Sequence, residues 1–73
     1  MNVGVNYMRE HMSASARIHY AVTDAGGIAP NVVQARAAVR YLIRARELPE
    51  LHALVARAGN IAEGAGLMTE TSV

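Results

Sequence analysis

Apolar residues switch from a helical to an alternating spacing near residue 17 and back to a helical one near residue 48, and those switches dictate a mixed helix-and-strand fold. From Asn2 to Met12 they recur at intervals of three and four, as Val5, Met8 and Met12. That spacing gathers them on one face of a short helix, with Asn2 placed to cap it. Ser13-Ala14-Ser15 interrupts the pattern. From Arg17 to Val22 the period becomes two, with Ile18, Tyr20 and Val22 on one side and Arg17, His19 and Ala21 on the other. Such alternation predicts a half-buried strand.

Thr23-Asp24-Ala25-Gly26-Gly27 follows, and the paired glycines call for a positive φ or a close approach of the main chain to something. Pro30 keeps Ala29 extended. Asn31 to Gln34 is expected as a short strand and Ala37 to Ala45 as a longer one, with Val39, Tyr41 and Ile43 inward and Arg40 and Arg44 outward. A reversal near Ala35-Arg36 would make these two a hairpin. Leu48, Leu51, Val55, Ala58 and Ala62 form a helical stripe, Pro49 suits a first turn, and Gly64 or Gly66 is expected to end that helix. Gly59 weakens it by about 1 kcal/mol relative to Ala. Met68 to Val73 is β-branched enough for a final strand. The predicted order is helix, strand, strand, strand, helix, strand, in one domain spanning residues 1–73.

These elements have little with which to fill a core. A 73-residue chain buries only about 60% of the surface its unfolded form exposes. Hydrophobic residues make up 52% of it, yet Tyr7, Tyr20 and Tyr41 are the only aromatics. Small side chains bury little area each, so support from self-association or a neighbouring domain is expected. The net charge of +1, from seven Arg and six acids spread along the chain, provides no basic patch for nucleic acid or anionic lipid. The absence of Lys reflects GC-rich codon usage more simply than carboxylate recognition. Without Cys there is no disulfide framework and no thiolate chemistry. The apolar runs fall far short of the ~18 residues a membrane span needs, and a soluble, cytoplasmic protein is expected.

Catalytic constellations are equally scarce. His11, His19 and His52 have no His-x-x-x-His pairing and Asp24 is the only Asp, so no zinc site is expected within the chain. Glu47 and Glu50 flank a helix start, where the helix dipole accounts for them. Gly26-Gly27 lacks the Lys and Ser/Thr of a phosphate loop. An RNA-binding sheet needs exposed aromatics for stacking, whereas Tyr20 and Tyr41 alternate with the core-facing set.

The segment Arg17-Ile-His-Tyr-Ala-Val-Thr-Asp-Ala-Gly-Gly-Ile-Ala-Pro-Asn-Val-Val-Gln34 closely resembles lid-domain strands of the aminobenzoyl-glutamate hydrolase branch of the di-zinc amidohydrolases. Met1 to Tyr7, Arg40 to Ala45 and Ile61 to Thr71 resemble the same proteins in the same order. The wider family includes aminoacylases, carboxypeptidase G and succinyl-diaminopimelate desuccinylase. Each has a catalytic domain interrupted by a smaller lid domain that mediates dimerisation and reaches toward the active site of the other protomer. The resemblance implies an α+β, ferredoxin-like antiparallel sheet with two helices on one face, lacking the first strand. It implies an amide substrate such as p-aminobenzoyl-glutamate, and two zinc ions held by a catalytic domain absent from this chain. The chain itself would be non-catalytic.

In this family an Asn of an Asn-Val-Ile-Pro motif lies near the substrate, and the matching residues here are Asn31, Val32, Val33 and Gln34. Gln34 replaces the proline. An uncharged amide suits the role, because it donates to a carbonyl oxygen or carboxylate without a shifted pKa. Alternatively, Asn31 only closes a turn after Pro30. His19, facing away from Ile18 and Tyr20, and the Gly26-Gly27 pair are further candidates to line the substrate cleft, though a strand histidine is more often merely solvated. The family's lid histidine sits on the first strand, and none of the three histidines here inherits it. The other reading of the whole chain is a free-standing oligomerisation module with no hydrolase partner. With the first strand missing, the tail from Thr69 to Val73 has no neighbour in the family's sheet order, so strand exchange between copies or a frayed tail is expected.

Overall fold

Ile18 is wholly buried, and the fold is arranged around it. The computed structural model describes residues Met1–Val73 and contains α1 (Asn2–Arg9), β1 (Arg17–Asp24), β2 (Ala38–Arg44) and α2 (Leu48–Thr69). The two strands form one antiparallel hairpin. Val5 and Met8 of α1, Ala16, Ile18 and Leu54 of α2 make the core, with Met12, Tyr41, Ile43 and Ile61 packed against it. Both helices therefore lie on the same face of the hairpin, as expected of an α+β unit of this class.

Pairing sets Ile18 against Ile43, Tyr20 against Tyr41 and Val22 against Val39. Directly opposed residues share a face, so the inward residues read from the alternation all fall on the helix side. The helices cover that face unevenly. Ile18 is sealed, whereas Val22 is 59% exposed and Val39 40% exposed. Tyr20 and Tyr41 bridge the two regions by stacking, with ring centroids 5.5 Å apart.

Only seven of the 73 residues are buried, and the radius of gyration is 13.7 Å, against about 11 Å for a compact chain of this length. The core is thin and much apolar surface stays open.

α1 starts one residue earlier than a cap at Asn2 would require. Met1 holds the cap position with no side-chain bond, and Asn2 is already helical. After Arg9 the chain continues as a tightened turn, with the amides of His11 and Met12 donating to the carbonyls of Met8 and Arg9. That turn carries Met12 onto the core.

The expected strand from Asn31 to Gln34 does not form, and β2 pairs with β1 instead. Pro30 and Asn31 are the central residues of a turn closed by the Val32 amide donating to the Ala29 carbonyl at 3.3 Å. That turn takes Asn31 and the Val32 amide out of the expected strand. The longer alternation of β1 also offers β2 a matching apolar face, which residues 31–34 cannot.

α2 runs past both Gly64 and Gly66 to Thr69. Its buried stripe is Leu54, Ala58 and Gly66, flanked by half-buried Leu51, Ile61, Ala62 and Ala65. The sequence stripe was rotated by a fraction of a turn, since Leu48 and Val55 are 67% and 52% exposed. Helix termination falls to Glu70, which is left-handed at φ 56°, ψ 41°. The Thr71 amide donates to Gly66 at 2.9 Å and the Glu70 amide to Leu67 at 3.4 Å, the paired bonds of a Schellman motif. The tail beyond Thr69 is consequently folded back against Gly66 rather than extended as a strand.

Candidate functional site

Residues 25–37 leave the hairpin as a long loop, and long loops without secondary structure in small domains are usually functional or linking segments. Its entry is fixed locally. Asp24 accepts the Gly26 amide through Oδ1 at 2.8 Å, a side-chain turn that reverses the chain as it leaves β1. Gly26 has φ +96°, and a Cβ there would collide with the Arg36 carbonyl oxygen and the Gln34 side chain. The glycine pair thus marks both features expected of it. The surface it approaches is the returning limb of its own loop, and only Gly26 needs the positive φ. A Cβ on Gly27 would meet nothing nearer than Gln34 Cγ at 3.7 Å.

Asn31 lies midway along the loop, in the turn after Pro30, and is exposed. Its amide is presented to solvent by a backbone that Pro30 and the Ala29–Val32 bond hold in place. Ile28 and Val33 flank it and are essentially fully exposed, at 103% and 96%. A loop that exposes one amide and two apolar side chains can meet a ligand that is part polar and part apolar.

His19 is placed elsewhere. It opposes Leu42 on the face away from the helices, beside a shallow hollow lined also by Tyr20, Ala21 and Arg40. From His19 to Asp24 the strand covers ~17 Å, so His19 lies well away from the loop entry at Gly26 and Gly27. His11 and His52 are exposed on the α1 turn and on α2. No three His, Cys, Asp or Glu side chains gather to hold a metal ion, so the residues present do not fit a zinc pair. No helix is long and apolar enough to cross a membrane.

A second feature escaped the sequence reading. An open groove of ≈ 690 Å³ runs between β2, the C-terminal half of α2 and the tail. Val39 and Tyr41 form one side, and Ala62, Ala65 and Gly66 the other. The spacing of those three small residues was its only trace in the sequence. Tyr41 lines the groove, and its phenol pKa is raised, first by burial and then by the neighbouring Tyr20, with Arg9 acting in the opposite sense.

The site and fold thus define a small α+β unit whose exposed loop carries the Ala-Pro-Asn-Val-Val stretch of the amidohydrolase resemblance. The similarity holds over the whole chain: it is 55% identical across 73 residues to a p-aminobenzoyl-glutamate hydrolase subunit of Escherichia coli (strain K12). All of this chain is covered by that match, and it spans 15% of the relative's length. No family model matches the chain. No solved structure matches it either.

Proposed function

We propose that residues 1–73 form part of the lid and dimerisation domain of a zinc-dependent amidohydrolase acting on an amide such as p-aminobenzoyl-glutamate. The observation that carries this reading is the 55% identity over the full chain to a p-aminobenzoyl-glutamate hydrolase subunit. The chain supplies no nucleophile, base or metal ligand in this reading. The two zinc ions and their chemistry belong to a catalytic domain outside these residues, and the whole enzyme works in the cytoplasm.

Within that enzyme, Asn31 donates its side-chain amide to the substrate carbonyl or carboxylate as the loop closes over the cleft. Ile28 and Val33 shield the bond from water. Gly26 shapes the loop entry and Gly27 leaves room beside it, so both act through the backbone. His19 contributes from the outer face of the hairpin only if the catalytic domain reaches that face. Partners are a second copy and the catalytic domain of the parent hydrolase.

The exposed surface supports the association. The chain exposes 5858 Å², whereas a folded monomer of its mass exposes about 4,400 Å². A free-standing oligomerisation module is the second reading, favoured by the same excess of surface.

Asn31→Ala in the hydrolase carrying this segment tests the first reading. Loss of one donor to a developing oxyanion lowers kcat by about 10²–10³ with zinc content unchanged. An unchanged kcat and KM would remove Asn31 from the site. The isolated chain is expected to release no p-aminobenzoate from p-aminobenzoyl-glutamate, with or without zinc, and turnover by the homogeneous 73-residue protein would overturn the assignment.

A further inference from the structure

Residues 25–37 are held by very little. Only Gly26 and Ala29 among them are even half-buried, so packing against the hairpin and helices does not fix the loop. Backbone bonding contributes one turn, in which the Val32 amide donates to the Ala29 carbonyl. The other hydrogen bond to the loop comes from a side chain, with Asp24 Oδ1 accepting the Gly26 amide at 2.8 Å. A loop tied at so few points takes its pose from them.

The ties at its neck converge on Gly26. The Asp24 bond spans two residues and turns the chain, and Gly26 takes φ +96°, a backbone region open chiefly to glycine. In that conformation its main chain lies so close to the returning limb that a Cβ would strike the Arg36 carbonyl oxygen and the Gln34 side chain. Just before the turn β1 is interrupted by a bulge: Val22 faces Val39 and Asp24 faces Ala38, leaving Thr23 as the extra residue. The Thr23 hydroxyl donates to the Ala38 carbonyl at 3.2 Å. Bulges beside functional sites re-aim the residues that follow them. Entry and exit are thus latched together, and the Ala29–Val32 turn that carries Asn31 forms the far side of the ring they close.

We infer that Asp24 is a positioning residue for Asn31: its carboxylate oxygen holds the Gly26 conformation that seats the two limbs of the loop on each other, and the seated loop sets where the Asn31 amide is presented. This role rests on the one proposed above for Asn31 and supplies the group on which it depends. Asp24 itself touches no substrate. The position requires an acceptor close to the backbone rather than a negative charge. Asparagine meets that requirement, because Asn and Asp side chains form the same turn. Glutamate keeps the charge but carries its oxygens one methylene too far out for a bond two residues on.

Asp24→Ala, Asp24→Asn and Asp24→Glu in the hydrolase carrying this segment, assayed on p-aminobenzoyl-glutamate with and without Asn31→Ala, test the inference. Asp24 is exposed, so the substitutions spare the core, and the thermal midpoint reports folding independently of kcat. Asp24→Ala is expected to lower kcat about fivefold, the equilibrium worth of one net hydrogen bond. Asp24→Glu should match that loss, and Asp24→Asn should recover the unsubstituted kcat. In the Asn31→Ala background the three substitutions should change kcat no further, since residues that act through one group are not additive. A kcat that follows the charge, with Asp24→Glu active and Asp24→Asn impaired, overturns the positioning role. So does an Asp24→Ala loss that persists in full without the Asn31 amide, or no loss at all. Those results leave the Asn31 reading standing so long as Asn31→Ala alone lowers kcat; if Asn31→Ala alone changes nothing, both fall.

Discussion

Gly4 and Gly59 make opposite predictions for the same chemical change. Both glycines are helical, and replacing a helical glycine by alanine ordinarily stabilises by up to about 1 kcal/mol. Gly59 has nothing within 4 Å of the place a Cβ would occupy, so Gly59→Ala should deliver most of that gain. At Gly4 the added carbon would lie 2.6 Å from Ile61 Cγ2 and 3.5 Å from Cγ1. Ile61 is β-branched and packed against the core, so Cγ2 cannot swing away without moving α2. Overpacking of this kind costs about 1–3 kcal/mol, which cancels or exceeds the propensity gain and leaves Gly4→Ala neutral to destabilised by about 2 kcal/mol. Urea denaturation of the two variants at equal protein concentration measures the difference. With a slope near 1 kcal/mol per M, the low end for small proteins, the two midpoints should separate by about 1–3 M. Ile61→Leu, which removes Cγ2 and keeps the volume, should recover part of the loss in a Gly4→Ala background. Equal stabilisation by the two alanines would refute the close approach of α1 and α2 at Gly4.

Glu70→Gly should stabilise the chain by about 1–2 kcal/mol, because a left-handed backbone costs a non-glycine residue about that much; an unchanged thermal midpoint would mean that the helix does not end at Glu70. Ile18→Ala, at the one strand residue that is wholly buried, should cost about 2–5 kcal/mol, a large part of the total stability of a domain this small, and loss of the cooperative unfolding transition is the expected readout. Tyr41 couples stability to alkaline pH. Its folded pKa is raised above the ordinary 10.0, chiefly by burial, so the folded state holds the phenol proton more tightly than the unfolded one. That contribution is complete below pH 10 and is lost as pH rises through the raised value. Tyr41→Phe should therefore flatten the fall in stability above pH 10, and an identical slope in both proteins would contradict the raised pKa.

The strand alternation was the most legible part of the fold. Ile18, Tyr20 and Val22 were assigned to one face with Val39, Tyr41 and Ile43, and all six share it. The pattern could not tell which strand pairs with which, because register is settled by turn geometry as much as by periodicity. Pro30 and Asn31 spend the short β-branched stretch after them on a turn. Helix ends were the least legible. Glycine at 64 and 66 looked like a terminator, yet neither residue is left-handed. The stop came from Glu70, which carries no such mark in the sequence. At the candidate site, the paired glycines announced the positive φ that Gly26 carries, and Pro30 announced the turn that holds Asn31. The distance between His19 and the loop could not be read from the chain, because it depends on how far β1 runs before the reversal. The groove beside β2 was invisible for a related reason: alanine and glycine at 62, 65 and 66 read as weak packing until a strand edge is placed beneath them.

The measurement that bears most directly on the central claim is the molar mass of the 73-residue chain in solution, by light scattering across a dilution series with zinc present and absent. The account predicts a stable assembly of at least twice the 7.8 kDa chain mass, indifferent to zinc, since no metal-ligand cluster lies within these residues. A well-folded 7.8 kDa monomer at all concentrations, or an assembly that dissolves when zinc is removed, would contradict it.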